Sequence, residues 1–290
     1  LFICIGLGAL VGAVYGTILK SKGKWMFFVL CLIMIPLATA ELGTDAWIKT
    51  LMTPIMGSQY AGWAIVLSAS IMMGLRFFAG IPLKFMSPPA LLLLSSVFSI
   101  VGLFALSEAS GVLIFGAFVL YAVGQTFYWP TVLGLVSEQF PKGGAMTLNT
   151  VSAMGLLTVG IFGFPFLGAV QDSYNTKKVK VVEPALYQQV ADNNVKFKDV
   201  SNPEKPKEVS IYQRRSFFGY SYDSVNTLEF KKLPQITPER KVALDEKLTT
   251  TSQSALKVAS ILPVIMAVAF GLMLLYFKRK GGYKPVVLVD

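Results

Sequence analysis

The 290-residue sequence contains no histidine and only two cysteines, Cys4 and Cys31, each inside an apolar run. Without imidazoles, and with two isolated thiols, neither a zinc site nor a disulfide framework is expected. Charge is sparse. Charged residues make up 14% of the chain against 54% hydrophobic ones, and the mean hydropathy is +0.60. That balance lies outside the range of soluble globular domains and makes a bilayer the natural solvent. No nucleophile stands at a recognisable spacing from a base and no cysteine looks reactive, which disfavours an enzyme; no cofactor or metal is expected. The net charge of +10 comes from basic residues between apolar runs rather than from a stripe on an amphipathic fold, so nucleic acid is not expected as a partner. No signal peptide is visible. The chain opens on Leu1 within an apolar run, with no Met and no charged leader, so a truncated chain is expected.

What the sequence does have is long apolar runs. A hydrocarbon core about 30 Å thick needs about 20 apolar residues in a helix. Stretches of that kind cover roughly 1–19, 25–46, 63–83, 90–106, 111–136, 145–170 and 255–277. They are continuously apolar rather than alternating over about ten residues, so helices are predicted and a barrel is not. The predicted fold class is an all-α integral membrane protein of about seven transmembrane helices. Residues 1–170 hold six spans, 171–254 form a long hydrophilic insertion, and 255–290 hold the last span and a basic tail.

Basic residues set the orientation. Taking alternate connections, one side holds Lys20, Lys22, Lys24, Arg76, Lys84, Lys142, Lys278, Arg279, Lys280 and Lys284, while the short loops opposite hold only Lys49. By the positive-inside rule the first side is cytoplasmic. A multi-pass protein of the inner (plasma) membrane is therefore expected, with its C-terminus in the cytoplasm and 171–254 extracytoplasmic. Pro203, Pro206, Pro234 and Pro238 punctuate that insertion. Its stretches 184–190 and 238–256 are predicted helical, and the aromatic stretch 211–222 is predicted to pair as a short hairpin. Two readings of it stand, a loosely ordered external cap and a ligand-gating lid.

A charge at the centre of a membrane helix costs about 2.5–3.5 kcal/mol, so intramembrane acids are functional candidates. Glu41 and Asp45, four residues apart, share one helix face. Two carboxylates so close in a poorly solvated cavity do not both ionise freely, which makes them a candidate proton-coupling pair. Counted from Trp25, Glu41 lies about 24 Å along the axis, near the outer interface, where an acid without a transport role is the alternative. Pro36 and Gly43 bracket the region and allow a bend. In the fifth run Tyr121, Gln125 and Trp129 share a face and present polar groups and rings suited to a sugar-like solute; packing or helix–helix hydrogen bonding is the alternative. Phe127 and Tyr128 lie off that face. Pro130 removes one backbone hydrogen bond and offers a hinge. Asn149 in the sixth run either faces the pathway or bonds another helix. Gly155, Gly160, Gly163 and Gly168, like Gly6, Gly8, Gly12 and Gly16, permit close helix approach. At the cytoplasmic edge Arg76 is expected to pair with Glu138, near Lys142, as a gate, or else to serve as an orientation signal.

The segment from Gly124 through Gln125, Tyr128, Trp129, Pro130, Glu138, Pro141 and Lys142 to Asn149 resembles the tenth-to-eleventh helix region of major facilitator superfamily transporters of the bacterial sugar-permease type. The stretch 41–48 is similar to that family's seventh helix, and 276–285 to its C-terminus. The resemblance implies that the spans are helices six to twelve, the C-terminal half. The parity agrees, since helix six then exits to the cytoplasm. The family's loop after the eighth helix is matched only by Gly74, Arg76, Gly80 and Lys84, and its acid is absent. The implied function is alternating access by two halves around a midplane site, moving a small polar solute such as a sugar, with or without a proton. The implied partners are that solute, the lipid bilayer and the missing N-terminal half. The rival readings are a seven-span receptor or sensor without transport, and a channel, which solute flux and pore currents respectively would distinguish.

Overall fold

The computed structural model describes residues 25–199 and 207–287. The predicted first span, with Lys20, Lys22, Lys24 and the four glycines of that run, lies outside the described residues, as do Cys4, Pro203 and Pro206. Six described helical stretches are long and apolar enough to cross a bilayer: Trp25–Lys49, Ser58–Phe77, Pro88–Glu108, Leu113–Gln139, Pro141–Val182 and Pro238–Arg279. They correspond in order to the last six predicted spans, and the chain is a multi-pass helical membrane protein.

Two of these rods contain π turns. Helix α1 (Trp25–Ala38) passes through a π turn at Thr39–Gly43 into α2 (Thr44–Met56). After Gly57, whose φ of 82° is a glycine conformation, come α3 (Ser58–Phe77), the short α4 (Gly80–Phe85) and α5 (Pro88–Glu108). The fourth rod is broken at Phe127 into α6 (Leu113–Thr126) and α7 (Tyr128–Gln139). In the fifth, α8 (Gly144–Thr158) passes through a second π turn, Val159–Gly163, into α9 (Phe164–Val182).

Because lipid tails are as apolar as leucine, helices in a bilayer associate by close packing of small residues rather than by hydrophobic burial. Helices α5 and α6 pack in that way. A Cβ on Gly102 would stand 2.5 Å from the Tyr121 backbone nitrogen, and one on Gly124 would overlap Ser99. The two π turns also meet: a Cβ on Gly163 would lie 3.0 Å from Thr39 Oγ1, and one on Gly43 3.3 Å from Leu167 Cδ1. Gly155 packs against Met34 and Trp129. Of the four glycines expected to permit close approach, Gly155 and Gly163 stand at tight contacts, whereas a Cβ on Gly160 or Gly168 would meet no atom within 4 Å among the described residues.

The helices flanking the insertion run past residues 170 and 255 without a break, α9 to Val182 and α12 from Pro238 to Ala259, before the last helix α13 (Ile261–Arg279). Between them lie α10 (Pro184–Asp192), the antiparallel pair β1 (Lys196–Asp199) and β2 (Lys207–Ser210), the hairpin β3 (Tyr212–Phe217) and β4 (Tyr220–Val225), and α11 (Thr227–Phe230). The hairpin register pairs Tyr212 with Val225 and Phe217 with Tyr220. Its two-residue loop, Phe218 and Gly219, has φ of 45° and 87°, as a type I′ turn requires. The described part of this insertion is not loosely ordered. Val179, Leu186, Val190, Ile211, Phe230 and Leu244 form a core of their own, each worth about 1.5–3 kcal/mol when removed from water. Thr237 caps α12 by accepting from the Arg240 N–H at 3.4 Å. The hairpin tip rests against the rod below it, with Phe217 5.6 Å from Phe162 between ring centroids.

Candidate functional site

The site begins with a backbone defect. Pro130 has no N–H, so the Thr126 carbonyl four residues earlier lacks its helical donor, and the rod breaks between α6 and α7. Both freed ends are used. The Arg76 Nε donates to the Thr126 carbonyl at 3.1 Å, and the Trp129 N–H donates to Glu41 Oε2 at 3.2 Å. The same guanidinium and carboxylate close on each other, Arg76 Nη2 to Glu41 Oε1 at 2.6 Å. Glu41 itself lies in the π turn, a local widening of the helix that recurs at functional sites. The helix continues to Met56, so Glu41 stands about 24 Å from one end and about 22 Å from the other at 1.5 Å per residue. It is therefore near the middle of the continuous helix over residues 25–56.

A second polar pair sits one turn further along. Gln125 is fully buried, and its Nε2 donates to Asp45 Oδ1 at 2.9 Å, with Met72 Sδ at 3.2 Å and Ser68 Oγ at 3.5 Å. Its Oε1 has no hydrogen-bond partner among the described residues. The buried Tyr121 hydroxyl donates to the Ala40 carbonyl at 2.8 Å, tying α6 to the π turn. Asp45, Ala69, Met72, Met73, Arg76 and Phe77 line an open cavity of about 510 Å³. Arg76 thus belongs to the first pair and borders the same cavity as Asp45 of the second. It joins α3 to the π turn and to the end of α6, while Gln125 joins α6 to α2.

Of the candidates read from the sequence, the structure gathers Glu41, Asp45, Tyr121, Gln125 and Trp129 around this point. Arg76, expected in a gate with Glu138, belongs here instead, because it lies level with Glu41 and its guanidinium is consumed there. Glu138 takes other partners: Tyr283 Oη donates to its Oε2 at 2.5 Å, and the Val286 N–H to its carbonyl at 2.9 Å. Burial and the neighbouring Glu138 carboxylate push the Tyr283 phenol up. Lys142 is exposed in the turn Pro141–Gly143, and Asn149 is exposed on α8 without a bond to the cluster. Of the two hinge candidates, Pro130 marks a real break, whereas Pro36 is buried inside a continuous α1. Sequence reasoning missed Ser68, Met72 and the Thr126 carbonyl. Ser68 and Met72 stand at i and i+4 and share a face with Arg76, a signal that was present.

No protein-family model matches the chain, and no curated protein matches it. Two solved structures do match, both of a bacterial homolog of the human lysosomal transporter Spinster, one inward-facing and unoccupied, the other inward-facing and occupied. Each has a TM-score of 0.61 at 15% sequence identity and covers 91% of this chain. The chain spans about half the length of those proteins, 50% and 52% respectively. The chain accordingly has the fold of about half of each of those structures.

Proposed function

We propose that this chain is the C-terminal half of an alternating-access secondary transporter, and that Glu41, Arg76, Asp45 and Gln125 handle its solute and its coupling proton. The observation that carries the reading is the pair of part-buried polar contacts, acid to arginine and acid to amide, beside a cavity. Ionisable groups within membrane helices are retained where they face a solute or ion pathway. They also bridge three separate rods, so any rocking of those rods must break and remake them, which is how a packed element acquires two discrete states. Helix α3 exposes Trp63, Met73 and Phe77, which supports a second half covering this face. Helices one to five would supply it.

The solute of this reading is small and polar, of the sugar type. Its hydroxyls find an acceptor in Asp45, which lines the cavity, and the Gln125 amide behind it holds that carboxylate in place. Protonating Glu41 dissolves its ion pair and releases Arg76, leaving the guanidinium on the Thr126 carbonyl; this is the coupling step. The Pro130 break is the hinge. The positive-inside pattern supports a cytoplasmic tail, an extracytoplasmic insertion and residence in the inner (plasma) membrane. At the tail end the latch is Glu138 with Tyr283 rather than with Arg76.

The test is uptake of radiolabelled sugars and organic acids into vesicles carrying the intact transporter, with and without a pH gradient, for wild type and Glu41→Gln. Gradient-driven accumulation by wild type, reduced to equilibration in the variant, is expected. Folded, inserted protein that moves no solute under any gradient would sink the transport reading.

A further inference from the structure

The insertion holds a second cavity, of about 460 Å³, whose walls come from three elements. Helix α9 contributes Thr176, Lys177 and Lys180, α10 contributes Tyr187, and the β3–β4 hairpin contributes Tyr212, Arg214, Tyr220, Tyr222 and Asp223. The volume falls within the range of small-ligand sites. Three cations face it against a single carboxylate. Moreover Asp223 is already committed, accepting from Tyr212 Oη at 2.8 Å and from Tyr187 Oη at 3.3 Å. Lys177, Lys180 and Arg214 make no ion pair among the described residues, although carboxylates elsewhere in the insertion pair with Arg215, Lys231, Lys232 and Arg240.

The floor is rigid. Tyr187 is buried in the core of the insertion, its ring edge-on to Tyr212 at 6.0 Å, and the Lys180 ammonium stands 5.7 Å from the Tyr187 centroid. The buried Thr176 hydroxyl accepts from the Val225 N–H at 3.1 Å, fixing the hairpin to α9. Lys177 and Lys180 lie on one face of α9 and Arg214 on β3, across from Asp223 in the hairpin register, so the cavity lining carries a surplus of positive charge that an anion would offset.

We propose that this cavity binds a small ring-bearing oxyanion, a sugar acid or sugar phosphate, with Lys177, Lys180 and Arg214 holding the anionic group and the Tyr220 and Tyr222 rings facing the sugar. The carboxylate and the phosphate are one chemistry here, charge-assisted hydrogen bonds to ammonium and guanidinium groups. The site lies in the insertion and does not depend on the intramembrane cluster.

The test uses the 290-residue chain in lipid nanodiscs and titration calorimetry with glucuronate, glucose 6-phosphate, glucose and inorganic phosphate. At least one of the first two is expected to saturate with a Kd below about 1 mM. Glucose, lacking the charge, and inorganic phosphate, lacking the ring, are expected to bind at least about tenfold more weakly. The stronger of the two anions identifies the source as carboxylate or phosphate. Lys177→Gln with Lys180→Gln should weaken binding at least about tenfold at unchanged circular dichroism, and so should Arg214→Gln. Tyr220→Ala, a change at an exposed ring, checks the sugar contact if either charge variant misfolds. Equal affinity for glucose, no saturation by either sugar anion, or wild-type binding by the folded charge variants would each overturn the proposal.

Discussion

Truncating Arg76 should destabilise the protein more than neutralising Glu41, although the two form one ion pair. Breaking a buried pair from one side costs about 3–5 kcal/mol, because a charge is left without compensation. Here the sides are unequal, the Glu41 side chain being 4% exposed and that of Arg76 41%. Arg76→Met leaves the carboxylate with the Trp129 N–H alone and also strips the Thr126 carbonyl of its donor, so about 3 kcal/mol is expected. Glu41→Gln leaves a guanidinium that borders the open cavity and keeps the Thr126 carbonyl. Solvent screening there reduces the loss to about 1 kcal/mol. The double variant should be milder than the sum by about 1–2 kcal/mol, the coupling of the pair. Thermal unfolding in detergent, followed by circular dichroism, reads this directly. At about 2–4 °C per kcal/mol, Arg76→Met lowers Tm by about 6–12 °C and Glu41→Gln by about 2–4 °C. Equal losses, or strict additivity in the double variant, would refute the pairing and its asymmetry.

Pro130→Ala restores an N–H that competes for the Thr126 carbonyl, so Tm should hold or rise while the uptake rate falls; unchanged uptake at unchanged Tm would argue against a hinge. Gly102→Val should cost more than about 2 kcal/mol through overlap with the Tyr121 backbone, whereas Gly160→Ala, with nothing within 4 Å, should leave Tm unchanged. Tyr187 is pushed up from 10.0 to about 12 by burial and by Asp223. Its neutral form is the one the fold prefers, so the stability it adds is complete below pH 10 and is lost as pH rises toward 12. Alkaline titration monitored by tyrosinate absorbance should show this phenol ionising late, together with loss of insertion structure; early ionisation in the folded state would contradict it.

The span pattern was legible because a run of about 20 apolar residues has few structural alternatives. Glu41, Asp45, Gln125 and Tyr121 were legible as polar groups where polarity is costly. Arg76 was legible in the last turn of its span but was expected opposite Glu138, and its pairing with Glu41 is decided by how α3 packs against the π turn. The use made of the Thr126 carbonyl was not readable: Pro130 announces a missing donor, but which cation arrives is decided by packing between helices. The packing contacts of Gly102 and Gly124 were not readable because a lone glycine in an apolar run reveals its neighbour only in three dimensions. The insertion's core was hidden for another reason. Its apolar residues come from α9, α10, the hairpin and α12, and no single segment carries a long enough pattern.

The central claim is that the Glu41, Arg76, Asp45 and Gln125 cluster serves solute exchange across a membrane. Counterflow in proteoliposomes carrying the intact transporter tests it most directly: vesicles preloaded with unlabelled solute, labelled solute added outside, and wild type compared with Glu41→Gln and Asp45→Asn. Transient accumulation of label driven by the outward gradient is expected from wild type. It should persist in Glu41→Gln, which loses only proton-driven accumulation, and weaken in Asp45→Asn, whose bond to Gln125 is altered. Absence of counterflow for every solute that binds the protein, or full proton-driven accumulation in both variants, would contradict the claim.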